Sequence, residues 1–378
     1  MISKILKSLI LILMLFLLSG CWDYVGLNGL TIVTGVAVDK DEKTNKYKLS
    51  YEIINLSDSS KNKTAVTKII ESTGDTIFDA IRNAKKRVMN KLYFANMQIV
   101  VVSKEIAEKD GLGSIIDWFI RDVEVRETIN FAVSEEKTAK EILDISCVDS
   151  PITSYQIKKI IRGDNSTTSS TMDVVLYKIY NIFKSDSASL ALPVFHIIKN
   201  AGKETIETNG IATFKKDKLI GWLNAAETKY YLFIDDNVDG GILPLSLDNK
   251  DTNNISLEIA ENKTSKSYSY KNNKVRVTIT TKTKVYLGEY DNQPKPLDDK
   301  TIKNIQKKAE EIIEKNIKKI VQKAKDEFKT DIFGFGTIVY EDNPKLWKKI
   351  KKNWDSLFEN MEIIVKPSVV IANTAYLK

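Results

Sequence analysis

The chain has 378 residues, 43% hydrophobic and 28% charged, a balance that excludes a disordered protein and provides for two or three folded domains. Its 57 Lys and Arg against 50 Asp and Glu leave a formal charge of +7. That scattered excess is too small to point to nucleic acid, though it suits a surface near anionic lipid. One histidine and two cysteines exclude an ordinary zinc site and a disulfide framework.

Lys4 and Lys7 precede an uninterrupted apolar run from Leu9 to Leu18, and Ser19, Gly20 and Cys21 follow. Charged, apolar and small-residue regions in that order read as a secretory signal. As a helix the run spans roughly 15 Å, about half a bilayer's hydrocarbon core, too short for a permanent anchor. Leu18-Ser19-Gly20-Cys21 is a lipobox: the Cys21 sulfur accepts a diacylglyceryl group before cleavage between Gly20 and Cys21. The expectation is a bacterial lipoprotein whose mature chain starts at acylated Cys21; the alternative is an ordinary signal peptide with a cysteine near its end. Apolar patterning resumes at Leu27, so the tether is about ten residues and reaches about 35 Å at most. So short a leash favours work on a membrane-embedded partner over capture of a diffusing solute. With Cys21 consumed by lipid, Cys147 stands alone and reads as a buried, inert thiol.

Thr31–Val38 reads as a strand, Lys48–Leu56 as a second and Lys61–Ile70 as a third, with a polar turn over Ser57–Asn62. Thr73-Gly74-Asp75 opens a helix carrying Ile77, Ile81, Ala84 and Val88 at helical spacing. Met97–Val102 is a buried strand, a helix ends near Ile120, and Thr128–Val133 is a further strand. Lys199–Asn209, polar and apolar-poor, is the expected domain boundary. Gly210–Trp222 reads as a hairpin turning at Lys215-Lys216-Asp217-Lys218, Tyr230–Ile234 as a strand, and Asp248–Asn254 as a solvated loop. Ile255–Ile259 and Val275–Leu287 read as strands. Ile302, Ile305, Ala309, Ile312, Ile313, Ile317, Ile320, Ala324 and Phe328 mark a long core-packed amphipathic helix over 298–329. Without a strict βαβ beat the fold class is α+β, multi-domain, with mixed sheets and packed helices. The units are a signal peptide over 1–20, an N-terminal domain of one or two subdomains over 21–200, and a C-terminal domain over 205–378.

No chemical constellation stands out. His196, flanked by Phe195 and Ile197, has no nucleophile elbow to serve and reads as packed or edge-exposed. Gly334-Phe335-Gly336 lacks the lysine and helix start of a phosphate loop. Asp235-Asp236-Asn237-Val238-Asp239-Gly240 opens like a calcium loop, but its twelfth position is Ser246 and Pro244 interrupts the helix that should follow; an acidic turn is the better reading. Trp347–Trp354 reads as an amphipathic helix, Leu346, Ile350, Trp354, Leu357 and Phe358 inward, lysines in solvent. The expectation is a non-enzymatic protein with no metal, no cofactor and no nucleic-acid partner.

Gly20-Cys21-Trp22-Asp23, Thr31-Ile32-Val33-Thr34-Gly35-Val36-Ala37-Val38-Asp39, the run Asp117–Arg126, Gly210–Gly221, and the stretch from Asp331 through Trp347 and Trp354 together resemble the C-subunit lipoproteins of spore germinant receptors, the Ger(x)C family. Departures are Tyr24-Val25-Gly26, where the family usually has charge, and Ala375, where a glycine is usual. The resemblance implies a lipid-anchored, palmitate-bearing subunit on the outer face of the spore inner membrane. Its partners would be membrane lipid, through Cys21, and two membrane-spanning receptor subunits that it supports or gates when a nutrient triggers germination. The competing reading is a solute-binding lipoprotein that captures a small nutrient itself. Replacing Cys21→Ala is expected to abolish labelled fatty acid incorporation and to impair nutrient germination; normal labelling of the variant would exclude acylation at Cys21.

Overall fold

The computed structural model describes residues 4–6, 26, 29–55, 66–146, 150–164, 166–185, 187–247, 254–290 and 297–373. Thirteen strands among them form two mixed sheets. The first has the order β3-β2-β1-β5-β6-β7-β8-β9, with β4 beside β1. Its strands are β1 (Leu30–Lys40), β2 (Tyr47–Asn55), β3 (Val66–Gly74), β4 (Lys91–Tyr93), β5 (Ile99–Ser103), β6 (Asn130–Ser134), β7 (Ala191–Asn200), β8 (Lys203–Lys215) and β9 (Lys218–Leu223). Strands β1, β5, β6 and β7 run parallel at the centre, and antiparallel hairpins flank them. Parallel neighbours are buried on both faces, which explains the apolar run Ile99–Val102.

Alternation divides these central strands between two cores. Val36, Val38, Val100, Val102, Phe131 and Val133 face one layer of helices: α1 (Ile77–Ala84), α2 (Lys104–Lys109), α3 (Gly113–Arg121) and α6 (Leu176–Lys184). Ala37, Ile99, Val101 and Ala132 face α4 (Ala139–Asp144) and α5 (Thr153–Asp164) on the other side.

Two buried carboxylates on the first hairpin hold that second layer. Asp39 accepts hydrogen bonds from the backbone N–H groups of Ala139 at 2.7 Å and Lys140 at 3.1 Å, the opening turn of α4. Glu52 accepts from the N–H groups of Thr153 at 2.7 Å and Ser154 at 3.1 Å, which open α5, and Thr34 Oγ1 donates to it at 2.7 Å. Each satisfies backbone donors that a helix leaves orphaned and sits at the positive end of the helix dipole. A Cβ on Gly35 would lie 3.0 Å from Ser154 Cβ, so this position lets α5 approach β1 closely.

The second sheet has the order β10-β11-β12-β13: β10 (Ile242–Leu245), β11 (Ile255–Lys271), β12 (Lys274–Tyr290) and β13 (Glu362–Asn373). The hairpin of β11 and β12 turns at Asn272 and Asn273, both with positive φ, as a tight hairpin turn requires. Val275, Val277, Ile279, Val285 and Leu287 alternate inward along β12. Against them packs α8 (Asp299–Lys323), capped by Asp298, through Ile305, Ala309, Ile313, Ile317 and Ile320. A π-helical turn, Ala324–Phe328, follows, then α9 (Phe335–Asp342), α10 (Pro344–Ile350) and α11 (Trp354–Glu359) carry the chain back to β13, parallel to β12.

Several expectations change. The helix expected from Thr73 begins at Ile77, because Thr76 caps it and Thr73 and Gly74 still pair with β2. Lys199–Asn209, the expected boundary, is built as the turn and adjoining strands of the β7–β8 hairpin, its polar side chains belonging to exposed strand positions. Strand β8 joins the cores: Ile211 packs into the second-sheet core, Ala212 and Phe214 into the first. Tyr230–Ile234 lies in a helix, α7 (Ala225–Asp235), started by a capping box in which Asn224 and Glu227 bond each other's backbone. Its residues are buried almost all round, so their apolar run resembled a strand. The long helix keeps its register, though its last turn is π-helical. The single helix expected around Trp347–Phe358 is two short helices joined by a 3-10 turn at Lys351–Asn353. The Ser57–Asn62 turn, Cys147 and most of Asp248–Asn254 lie outside the described residues.

Two measurements test this framework. Ile313 is fully buried on α8, and Ile313→Ala should lower unfolding free energy by about 2–5 kcal/mol in denaturant titration. Burial pushes the Asp39 carboxyl from 3.8 up to about 6, against the pull of its two backbone donors. Between those values the folded state holds a proton on Asp39 that the unfolded chain releases, so Asp39's contribution to stability is greatest below about pH 4 and is lost as pH rises through about 6. Asp235 and Asp331 are also raised, with the same sign. Asp39→Asn should remove Asp39's share of the slope, up to about 3 kcal/mol, read from urea midpoints at pH 4 and pH 7.

Candidate functional site

A cleft of about 310 Å³ opens where the two cores meet. Met172, Val174 and Ile182 form one wall, Tyr231, Leu232 and Asp235 of α7 the other, with Ala191 from the start of β7. Asp235 ends α7, and Asp236 follows it in the left-handed conformation that stops the helix. The Asp235 carboxylate accepts from Asn237 Nδ2, and desolvation raises its pKa despite Lys266 and Lys178 nearby. Burial, with Asp235 and Asp331 adding to it, pushes the Tyr231 phenol well above its usual range. Across the cleft, Asp173 accepts from Asn130 Nδ2 and lies 3.9 Å from Arg162. The lining combines apolar walls with Asp173, Asp235 and Lys178, and no nucleophile with a base occurs among these residues.

The calcium-like hexapeptide does not converge. Asp235 turns to Asn237, and Asp236 accepts from the backbone of Thr264 on β11. Among the described residues, no three His, Cys, Asp or Glu side chains gather as metal ligands. His196 lies on the first sheet, Nδ1 at 3.5 Å from Glu135 and Nε2 at 3.3 Å from Glu207, a surface contact with no hydroxyl to activate.

Gly334-Phe335-Gly336 forms an aromatic junction. Asp331 is buried and accepts from Phe333 N at 3.0 Å, Gly336 N at 2.7 Å and Trp354 Nε1 at 3.1 Å. Gly334 has φ +69°, and a Cβ on Gly336 would meet the Trp347 ring at 2.8 Å. Burial raises the Asp331 carboxyl while these donors pull it down. Trp347 and Trp354 meet edge to face at 5.1 Å with both rings buried, and Lys348, Lys349 and Lys352 are exposed. The tryptophans are therefore core, and the lysines a solvated face.

Gly20 and Cys21, the expected cleavage and acylation positions, lie outside the described residues. Strand β1 starts at Leu30, which pairs in parallel with Lys91 of β4. No helix among the described residues is long and apolar enough to cross a membrane. The sequence reading missed Asp39 and Glu52 as helix-holding carboxylates; an acidic residue within a strand of otherwise buried side chains was the available signal.

A family model described as "Spore germination protein N-terminal domain" matches residues 23–197, and one described as "Spore germination B3/ GerAC like, C-terminal" matches 209–375. "Spore germination protein KC" of Bacillus subtilis (strain 168) is 26% identical over 99% of this chain and 97% of its own length. "Spore germination protein B3" of the same organism is 24% identical over 97% of each. The solved structure titled "Crystal Structure of the GerBC protein" superposes with a TM-score of 0.56 at 19% identity, covering 90% of this chain and 97% of that one, and so shares the fold. With both family models laid end to end along nearly the whole sequence, this α+β chain belongs to the Ger(x)C family of spore germination proteins.

Proposed function

We propose that this protein is a lipid-anchored, non-enzymatic subunit of a nutrient germinant receptor, held by acylated Cys21 on the outer face of the spore inner membrane. Family membership supports a role in spore germination. On this reading the chain comprises a leader over 1–20 and germination domains over 21–200 and 205–378, and it supports or gates two membrane-spanning subunits. The observation that carries the proposal is end-to-end similarity to spore germination proteins in a chain that opens with a lipobox and only a short tether before β1. That tether keeps the folded part within tens of ångströms of the bilayer, in reach of the outward loops of spanning partners. The cleft at Asp235 favours a second reading, in which the protein itself captures a small nutrient.

A photo-crosslinker placed within Trp22–Asn28 should capture a spanning receptor subunit in spores. Calorimetry of the unlipidated chain with amino acid, sugar and nucleoside germinants should be flat. Saturable nutrient binding that Asp235→Ala abolishes would replace the gating reading with the solute-binding one.

A further inference from the structure

Among the described residues the most exposed large apolar side chains are Val123 at 99% and Met89 at 90%, and Phe78 is exposed at 49%. Phe78 breaks the pattern of α1, whose Ile77, Ala80, Ile81 and Ala84 are buried. Phe78 and Val123 flank an apolar groove of about 430 Å³, with Ile81, Leu92, Phe94 and Trp118 inside. Met89 joins this face through its carbonyl, which accepts from Lys85 Nζ at the groove's edge.

The rim is basic. Arg82 sits over the Phe78 ring at 4.8 Å, and Lys85, Lys86 and Arg87 follow as consecutive exposed cations before Met89. On the acidic side, Glu124 is engaged by Lys91, and Asp122 accepts from the Glu124 backbone. Exposed apolar side chains beside a cluster of Lys and Arg match the two attractions of an anionic bilayer surface, apolar insertion and headgroup charge.

The position of this face relative to the chain's start selects the occupant. Leu30, where the fold begins, pairs with Lys91 of β4 in the segment that carries Met89 and the basic run. Only eight residues separate Cys21 from Leu30, so an acylated Cys21 brings this end of the molecule to the membrane. We infer that the face formed by Phe78, Met89 and Val123, with the cations Arg82 to Arg87, is a membrane-docking surface that seats in the interface of anionic lipid. It orients the domain on its anchor, so the surface exposed to spanning partners is set by two attachments rather than by one flexible leash. The geometric part of the inference rests on the lipid-anchor reading proposed above; the chemistry of the face does not.

The test uses residues 22–378, which retain every strand and helix of both sheets, so that vesicle binding reads the face without the acyl chains. Flotation with phosphatidylglycerol–cardiolipin vesicles should show binding that phosphatidylcholine vesicles lack and that high salt weakens. Met89→Asp with Val123→Asp, and separately Lys85→Glu, Lys86→Glu and Arg87→Glu together, should each lower partitioning at least about tenfold with melting temperature unchanged. Reversing Lys348, Lys349 and Lys352 to Glu makes the same change in charge on the remote basic face and should leave binding intact. Equal loss in that control, no binding by the parent chain, or retention only when spanning receptor subunits are in the vesicles would overturn the inference, the last by assigning the face to protein. Fatty acid labelling of the full chain reports on the anchor separately. Unlabelled protein with intact vesicle binding would remove the anchor and keep the face; labelled protein with no vesicle binding would do the reverse.

Discussion

Two carboxylates buried beneath helix N-termini organise the first half of the molecule. Asp39 and Glu52 stand on neighbouring strands and point to the same side of the sheet, each gripping the first turn of a different helix. A buried carboxylate without partners would be expensive, and a helix start without acceptors would leave donors unsatisfied. Each solves the other's problem only if α4 and α5 lie where they do, so the pairs specify placement as well as stabilise it. Gly35 and Thr34 belong to the same arrangement, one by leaving room for α5 and the other by donating to Glu52. The Thr-Gly-x-x-x-Asp pattern of the first strand is thus a packing device for the helices above it.

The two halves are joined through shared strands rather than by a linker. Strand β8 sends alternate side chains into different cores, and Gly221 on β9 leaves space for Phe328 at the end of α8, where a Cβ would sit 2.2 Å from the ring. Lys323 closes the junction by donating to Trp222 O at 3.0 Å and to Glu227 at 2.7 Å, tying the C-terminus of α8 to the capping box of α7. Gly210, with φ +87°, lets β8 pass the carbonyl of Leu223 at a distance no Cβ would tolerate. Movement of one half therefore loads the other, which suits a subunit proposed to transmit or resist motion in a membrane complex.

The polar groups of the interior serve architecture. Asp331 spends its acceptors on the backbone of its own loop and on Trp354, and the other notable acids hold helices or turns. On the proposed reading, function lies at the surface and at a lipid attachment near the start of the chain. On the proposed anchor reading, the apolar, basic face beside the attachment gives the protein a fixed orientation on a membrane.

The sequence alone determined what depends on local pattern or covalent chemistry. The period of Ile305–Ile320 defines a helix before any packing, the alternation of Val275, Val277 and Ile279 defines a half-buried strand, and the lipobox stands as an expectation read residue by residue. The α+β class and family resemblance were legible for the same reason. Tertiary structure decided whatever depends on burial from more than one side. Tyr230–Ile234 read as a strand because a helix buried almost all round has no polar stripe, and the hairpin within the Lys199–Asn209 boundary was hidden because exposed strand positions are polar. Aspartates adjacent in sequence, Asp235 and Asp236, proved to face different partners across a helix end. The exposed face at Phe78, Met89 and Val123 draws on α1, the loop before β4 and the turn after α3. Its members are scattered over some forty-five residues, and only the pairing of β4 with β1 places them beside the start of the first strand.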